Sequence, residues 1–184
     1  MMNAIEHQAR EIGVKLVEPS AEYEKAFIEM IHEWEQTGEK MVPFVLRMDM
    51  SDFEVYLQTL YQMKTEVTEG KKTVNSSTFW LVSSHDETRT IGAVNIRHDL
   101  NEHLLKIGGH IGFGIRPSER GKGYATQMLA LALVEARRLG LAKVLITCDE
   151  DNLGSQKTIL NNGGVLENKT FFNGKMIERY WIQL

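Results

Sequence analysis

Cysteine is almost missing from this chain of 184 residues. The single thiol, Cys148, has no second cysteine to pair with, so no intrachain disulfide can form. Long apolar runs are missing too, and nothing approaches the roughly 20 residues needed to span a bilayer. The opening stretch, "MMNAIEHQAREIG", is polar and mixed in charge, unlike a secretory signal. These absences make a cytoplasmic protein, away from membranes, the expectation. Positive charge is not in surplus: the formal net charge is −4. That argues against nucleic acid as the main partner, because binding to a phosphate backbone needs a basic surface. Internal repeats and low-complexity tracts are lacking as well.

What is present is an ordinary globular balance, 42% hydrophobic and 25% charged, on a chain long enough to bury a core. "VKLVEPS" reads as a strand ending at Pro19, with Ser20 placed to cap a helix. Tyr23, Phe27, Met30, Ile31 and Trp34 recur at helical spacing, and Gly38 stops that helix. A connection around Pro43 leads to a second helix opening at "SDFE", where Ser51 and Glu54 have capping-box spacing. A polar loop, Glu69 to Ser77, follows. "TFWLVSS", the turn "HDET" and "TIGAVNIRH" read as two strands and their connection. "HIGFGI" is the next strand, Tyr124 to Leu139 a strong helix, and "KVLITC" a strand apolar enough to be buried on both faces. A short helix in "NLGSQKTILNN" precedes a hairpin turning at Asn173-Gly174. The order is β-α-α-β-β-β-α-β-α-β-β, a mixed α/β chain of the α+β class with one expected parallel βαβ unit.

One turn in this series carries chemistry. "RPSERGKGYATQ" occupies Arg116 to Gln127, between a strand and a helix. A helix start offers unpaired N–H groups and the positive end of a dipole, and phosphate is a natural guest there. Gly121 and Gly123 let the backbone come close, and Arg120 and Lys122 add charge. The plainer reading is a solvated loop with incidental charges. A Walker A loop would need glycine where Arg116 stands and Ser or Thr where Gly123 stands. A dinucleotide fingerprint begun at Gly112 and Gly114 would need a third glycine at Pro117.

Arg120-Gly121-Lys122-Gly123-Tyr124-Ala125 matches Arg/Gln-x-x-Gly-x-Gly/Ala, and in this stretch the chain resembles the GCN5-related N-acetyltransferase (GNAT) superfamily. The strand "KVLITC", Asn152, Ser155, the short helix and Gly163 follow in that family's order. The resemblance is specific over about Ile91 to Leu184 and topological before that. It is nearest to uncharacterised bacterial members whose helix ends in "NGG".

The resemblance implies one GNAT-like domain over residues 1–184. Its fold would have three layers: a mixed, mostly antiparallel sheet with helices on both faces, splayed between the fourth and fifth strands. Residues 20–70 would form the helical acceptor-binding segment and 107–164 the core that binds acetyl-CoA. The amides of Gly121, Lys122, Gly123, Tyr124 and Ala125 would hold the pyrophosphate, with Arg120 opening the loop. Ile115 and Arg116 would be main-chain partners of the pantetheine arm. Asn152 and Ser155 would contact the pantetheine or the 3′-phosphate side. The chemistry implied is direct attack on the thioester by a primary amine of a small molecule or peptide.

Strand alternation puts His110, Gly112, Gly114 and Arg116 on one face and Ile111, Phe113 and Ile115 on the other. The two glycines leave room for a ligand to approach, or else mark a bulge or packing gap. A histidine titrates near 6.5, which suits a general base, and His110 is the candidate; the plainer reading is a histidine bonded at the sheet edge. His98, Asp99 and Glu102 are weaker candidates. Many family members carry a tyrosine seven residues after the asparagine as the acid for the departing thiolate, but here that position is Ile159. Gly164 also replaces the usual aromatic residue. This departure motivates the rival expectation, a CoA-binding module without catalysis; a protein N-acetyltransferase is a third. Cys148 reads as a small buried hydrophobe. His98, His103 and His110 match no ligand spacing, so no metal is expected. Met41, Met48 and Met50 read as core filler, and monomer and homodimer both stay open.

Overall fold

The chain folds around two antiparallel half-sheets, and the gap between them is what positions the site. The computed structural model describes residues 13–66, 74–86 and 89–184. Parts of the expected polar loop from Glu69, and the end of the turn "HDET", lie outside the described residues.

Four strands form the first half-sheet in sequence order: β1 (Val14–Val17), β2 (Ser76–Ser83), β3 (Thr90–Arg97) and β4 (Ile111–Ile115). Every neighbouring pair in it is antiparallel. The second half-sheet holds β5 (Lys143–Asp149), β6 (Val165–Phe172) and β7 (Lys175–Gln183), in the order β5-β7-β6, again antiparallel. The splay expected between the fourth and fifth strands is wide enough that no ladder joins β4 to β5.

Helices cover both faces. On one side lie α1 (Glu24–Glu35) and α2 (Phe53–Thr65). Their aromatic stripes meet Trp80 of β2, and Phe27 stacks on Trp80 with centroids 4.2 Å apart. On the other side α4 (Tyr124–Arg138) and α5 (Leu153–Asn161) close a core that includes Met128, Leu129, Ile146 and Ile159. Burying such side chains contributes roughly 1.5–3 kcal/mol each. No helix among the described residues is long and apolar enough to cross a membrane.

Two local expectations are revised. The second helix is capped by Asp52, not Ser51: Asp52 Oδ1 accepts from the Val55 amide at 3.1 Å. Ser51 lies one residue outside, its amide bonded to Asp49 Oδ1 at 2.9 Å. The connection "DLNEHLLKIGG" contains a short helix, α3 (Glu102–Lys106), whose cap is Asn101.

Candidate active site

The turn between β4 and α4 has the shape its glycines require. Gly121 and Gly123 have φ of +76° and +84°, and a Cβ on either would meet nothing within 4 Å. Gly123 is the residue at which α4 begins. No acceptor among the described residues takes the amides of Gly121, Lys122 or Gly123, and Tyr124 and Ala125 open the helix, where amides lack intrahelical partners. The surface is therefore a row of donors at the positive end of a 15-residue helix.

The cations of this turn are already paired. Arg116 Nε donates to Glu33 Oε2, and Glu33 Oε1 accepts from the Ser118 amide at 2.7 Å. Burial pushes the Glu33 carboxyl up, but the Ser118 amide and the Arg116 guanidinium outweigh that and hold it below the usual range. Arg120 Nε donates to the Ile115 carbonyl at 3.1 Å, and its Nη1 lies 2.7 Å from Glu39. The same guanidinium sits 5.1 Å above the Trp34 ring. Lys122 Nζ donates to Glu119 Oε2 at 2.8 Å. Glu119, buried, also holds Arg89, and burial that would raise its carboxyl is overcome by these two cations. Arg120 and Lys122 keep 39% and 52% of their side-chain surface exposed, so phosphate oxygens can reach both; Arg116, at 10%, is held inside.

Register decides which main-chain groups face the gap. The Arg97 amide donates to His110, and the Arg116 amide to Ile91, both across the β3–β4 ladder. Alternation then turns the groups of Ile111, Phe113 and Ile115 away from β3, towards the gap. Ile115 turns its amide to that edge, while its carbonyl already accepts from Arg120 Nε. The main chain of Arg116 is turned the other way, against the expected role: its amide is spent on Ile91, and its carbonyl accepts from Glu119 at 2.9 Å. Phe113 shares that edge, and counting back two residues from Ile115 finds it. On the facing strand, Leu145 turns its main chain towards β4 and the amide of Glu150 bonds to β7, so Thr147 also faces the gap.

His110 closes one end of the gap. Its amide donates to the Leu145 carbonyl at 2.7 Å, and its Nδ1 accepts from the Leu145 amide at 2.8 Å. Burial pushes the imidazole pKa down, with Asp99 opposing and Arg97 assisting. The ring is thus neutral, its Nδ1 lone pair committed and its proton on Nε2, so it has no free lone pair to act as the base.

The room beside Gly112 and Gly114 is occupied by protein. A Cβ on Gly114 would lie 2.3 Å from the Val42 carbonyl oxygen and 2.5 Å from Trp34, and one on Gly112 3.4 Å from Pro43. These glycines admit the segment after α1, which joins Pro43 through a cis bond, rather than a ligand.

At the other flank, Asn152 Oδ1 caps α5 by accepting from the Ser155 amide at 3.0 Å, so the two expected contacts form one exposed corner. Ile159 is fully buried. Cys148 is buried, and burial, with Glu178 and Asp149 nearby, pushes its thiol up to about 12. No cluster of three potential metal ligands occurs among the described residues.

An "Acetyltransferase (GNAT) domain" family model matches residues 14–165. A curated relative, the uncharacterized N-acetyltransferase YjdG of Bacillus subtilis, is 29% identical over 92 residues, half of this chain and 53% of that protein. The chain thus spans about half the length of the curated relative it matches. Among solved structures, a Salmonella typhimurium acetyltransferase that modifies the N-terminal serine of ribosomal protein L7/L12 superposes with a TM-score of 0.64. The identity is 16%, over 94% of this chain and 95% of that one. The microcin C7 self-immunity acetyltransferase MccE, in complex with acetyl-CoA and AMP, gives 0.64 at 19% identity over 94% and 93%. With two splayed half-sheets, a glycine turn of free amides and a family model covering most of its length, the chain belongs to the GNAT acetyltransferase family.

Proposed function

We propose that this protein is an acetyl-CoA-dependent N-acetyltransferase that modifies a primary amine. The observation that carries the reading is the row of unbonded amides from Gly121 to Gly123 at the start of α4, opening onto the gap between β4 and β5. The donor set fits the co-substrate: amides and two half-exposed cations for the pyrophosphate, strand-edge groups of Phe113 and Ile115 for the pantetheine amides. Asn152 and Ser155 flank the other side.

Bound there, acetyl-CoA would supply a thioester carbonyl open to attack by a neutral amine. The chain's part is to hold and align the arm along β4 and to keep water from its buried side, where Phe113 and Ile115 pack against the core. His110 Nδ1 is tied to Leu145, so the amine passes its proton to water at the mouth of the gap. With Ile159 buried in place of a phenol, the leaving thiolate relies on its own acidity, about that of a free thiol near 8.5.

The acceptor is an amine on a small molecule or a peptide; one relative is named for a ribosomal protein's N-terminal serine and another for immunity to microcin C7. Release of free thiol from acetyl-CoA, measured across amines and peptides, tests the reading. Binding of acetyl-CoA with no turnover on any acceptor would leave a CoA-binding module. A melting temperature unmoved by acetyl-CoA would reject the ligand itself.

A further inference from the structure

Arg97 stands apart from the other arginines. Among the described residues, every other arginine that is not exposed meets a carboxylate: Arg89 with Glu119, Arg116 with Glu33 and Arg179 with Glu167. The more exposed Arg120 meets Glu39. Arg97 is half-buried and meets none. Its Nη1 donates to the carbonyls of Gly108 at 3.1 Å and Gly109 at 2.8 Å, which holds one corner of the guanidinium in place. Its Nε and Nη2 have no acceptor among the described residues. The guanidinium lies 5.7 Å from the centre of the Phe44 ring. A guanidinium drawn partly out of water without an opposite charge is costly, and an incoming anion offsets that cost.

Its place in the fold says which anion. The phosphate-binding turn lies at the far end of β4, beyond Ile115, and an arm running along the strand from there heads towards His110. The five residues of β4 span about 17 Å at roughly 3.3 Å each. Arg97 is bonded across the ladder to His110 at that closed end. It shares a face with Asn95, fully buried, whose Oδ1 has no partner. Phe44, which walls this corner, follows Pro43 in the segment that packs on Gly112.

We propose that Arg97 binds an anionic oxygen group, a carboxylate or a phosphate, carried by the amine acceptor a few bonds from its nitrogen. This rests on the acetyltransferase reading and names the acceptor class: zwitterionic amines such as amino acids, peptides ending close to the amine, or phosphorylated amines.

The test compares matched acceptors: an amino acid with its amide, and phosphoethanolamine with ethanolamine. The wild-type protein is expected to favour at least one anionic member over its neutral partner by about ten- to hundredfold in kcat/KM, the scale of a hydrogen bond to a charged group. The winning pair separates carboxylate from phosphate. Arg97→Gln is expected to remove that preference through KM of the anionic acceptor alone, and Arg97→Lys to restore part of it. The melting-temperature rise with acetyl-CoA stays as in the wild type. Equal kcat/KM within both pairs, or an equal loss on anionic and neutral acceptors in Arg97→Gln, overturns the proposal. Should Arg97→Gln fail to fold, Arg97→Lys and the wild-type comparison still decide it. Failure of acetyl-CoA to shift melting would instead sink the underlying reading; if acetyl-CoA binds and nothing turns over, melting shifts with the same four amines read the Arg97 site directly.

Discussion

His110 and Leu145 exchange two hydrogen bonds, amide to carbonyl at 2.7 Å and amide to imidazole Nδ1 at 2.8 Å, and so fasten the two half-sheets at one end of the gap. The imidazole is a clasp, and its protonation would break the second bond. Its folded pKa is pushed down by burial, whereas the unfolded value is near 6.5. The unfolded chain therefore binds more protons below that value. Stability is held in full above about pH 6.5 and lost as pH falls from there through the depressed folded value. His110→Gln should flatten this part of the profile of urea midpoint against pH. His110→Ala should lower stability by about 1–3 kcal/mol by leaving the Leu145 amide unpaired. Neither should shift the pH–rate profile; a displaced limb in His110→Gln would return the imidazole to the role of base.

The two glycines of β4 that face the Val42–Pro43 segment should respond differently to alanine. Gly114→Ala drives a Cβ against backbone at Val42 and the ring of Trp34, neither of which is the free end of a flexible side chain. Overpacking of this kind costs about 1–3 kcal/mol. Gly112→Ala meets only Pro43 at 3.4 Å and should change stability by less than about 1 kcal/mol. Denaturant midpoints of the two variants decide this, and equal losses would contradict the close approach of Val42 and Trp34 to Gly114 alone.

The shape of the glycine turn was legible because it is set locally. Glycines with positive φ, a strand before and a helix after all lie within Ile111 to Arg138. The strands and their hairpin were legible for the same reason. What hid from the sequence was long-range. Glu33, Glu39 and Glu119 take up the cations of the turn, and the first two lie more than 70 positions away in the segment after β1. Val42 and Pro43 fill the space that Gly112 and Gly114 leave, which alternation alone assigns equally well to a ligand. His110 reads as a base until Leu145 is seen holding its lone pair. Arg97 carries no motif, and only the missing carboxylate marks it.

Glu33 ties the first helix to the turn by accepting from both Arg116 and the Ser118 amide. Removing one partner of a buried pair leaves the other charge uncompensated, at a cost of about 3–5 kcal/mol when burial is complete. Glu33 keeps a quarter of its side-chain surface exposed, so Glu33→Gln should cost less, about 1–3 kcal/mol. Because Ser118 precedes Arg120 by two residues, the loosened turn should also bind acetyl-CoA more weakly. Calorimetric titration checks this; an affinity equal to the wild type would detach the first helix from the co-substrate site.

Cys148 gives a prediction about what the protein does not use. Its thiol is pushed up to about 12, chiefly by burial and further by Glu178 and Asp149, so thiolate is scarce at neutral pH. A thiol reagent such as a maleimide should label the native protein slowly, at a rate that climbs with denaturant as the core opens. Cys148→Ala removes only a small buried group and should lower stability by about 1 kcal/mol. If acetyl transfer is a direct attack by the amine, this variant keeps kcat within about twofold of the wild type. A loss of several hundredfold in kcat, with KM for acetyl-CoA unchanged and the acetyl group trapped on the wild-type chain in acid-quenched samples, would mean that Cys148 carries the acetyl group itself.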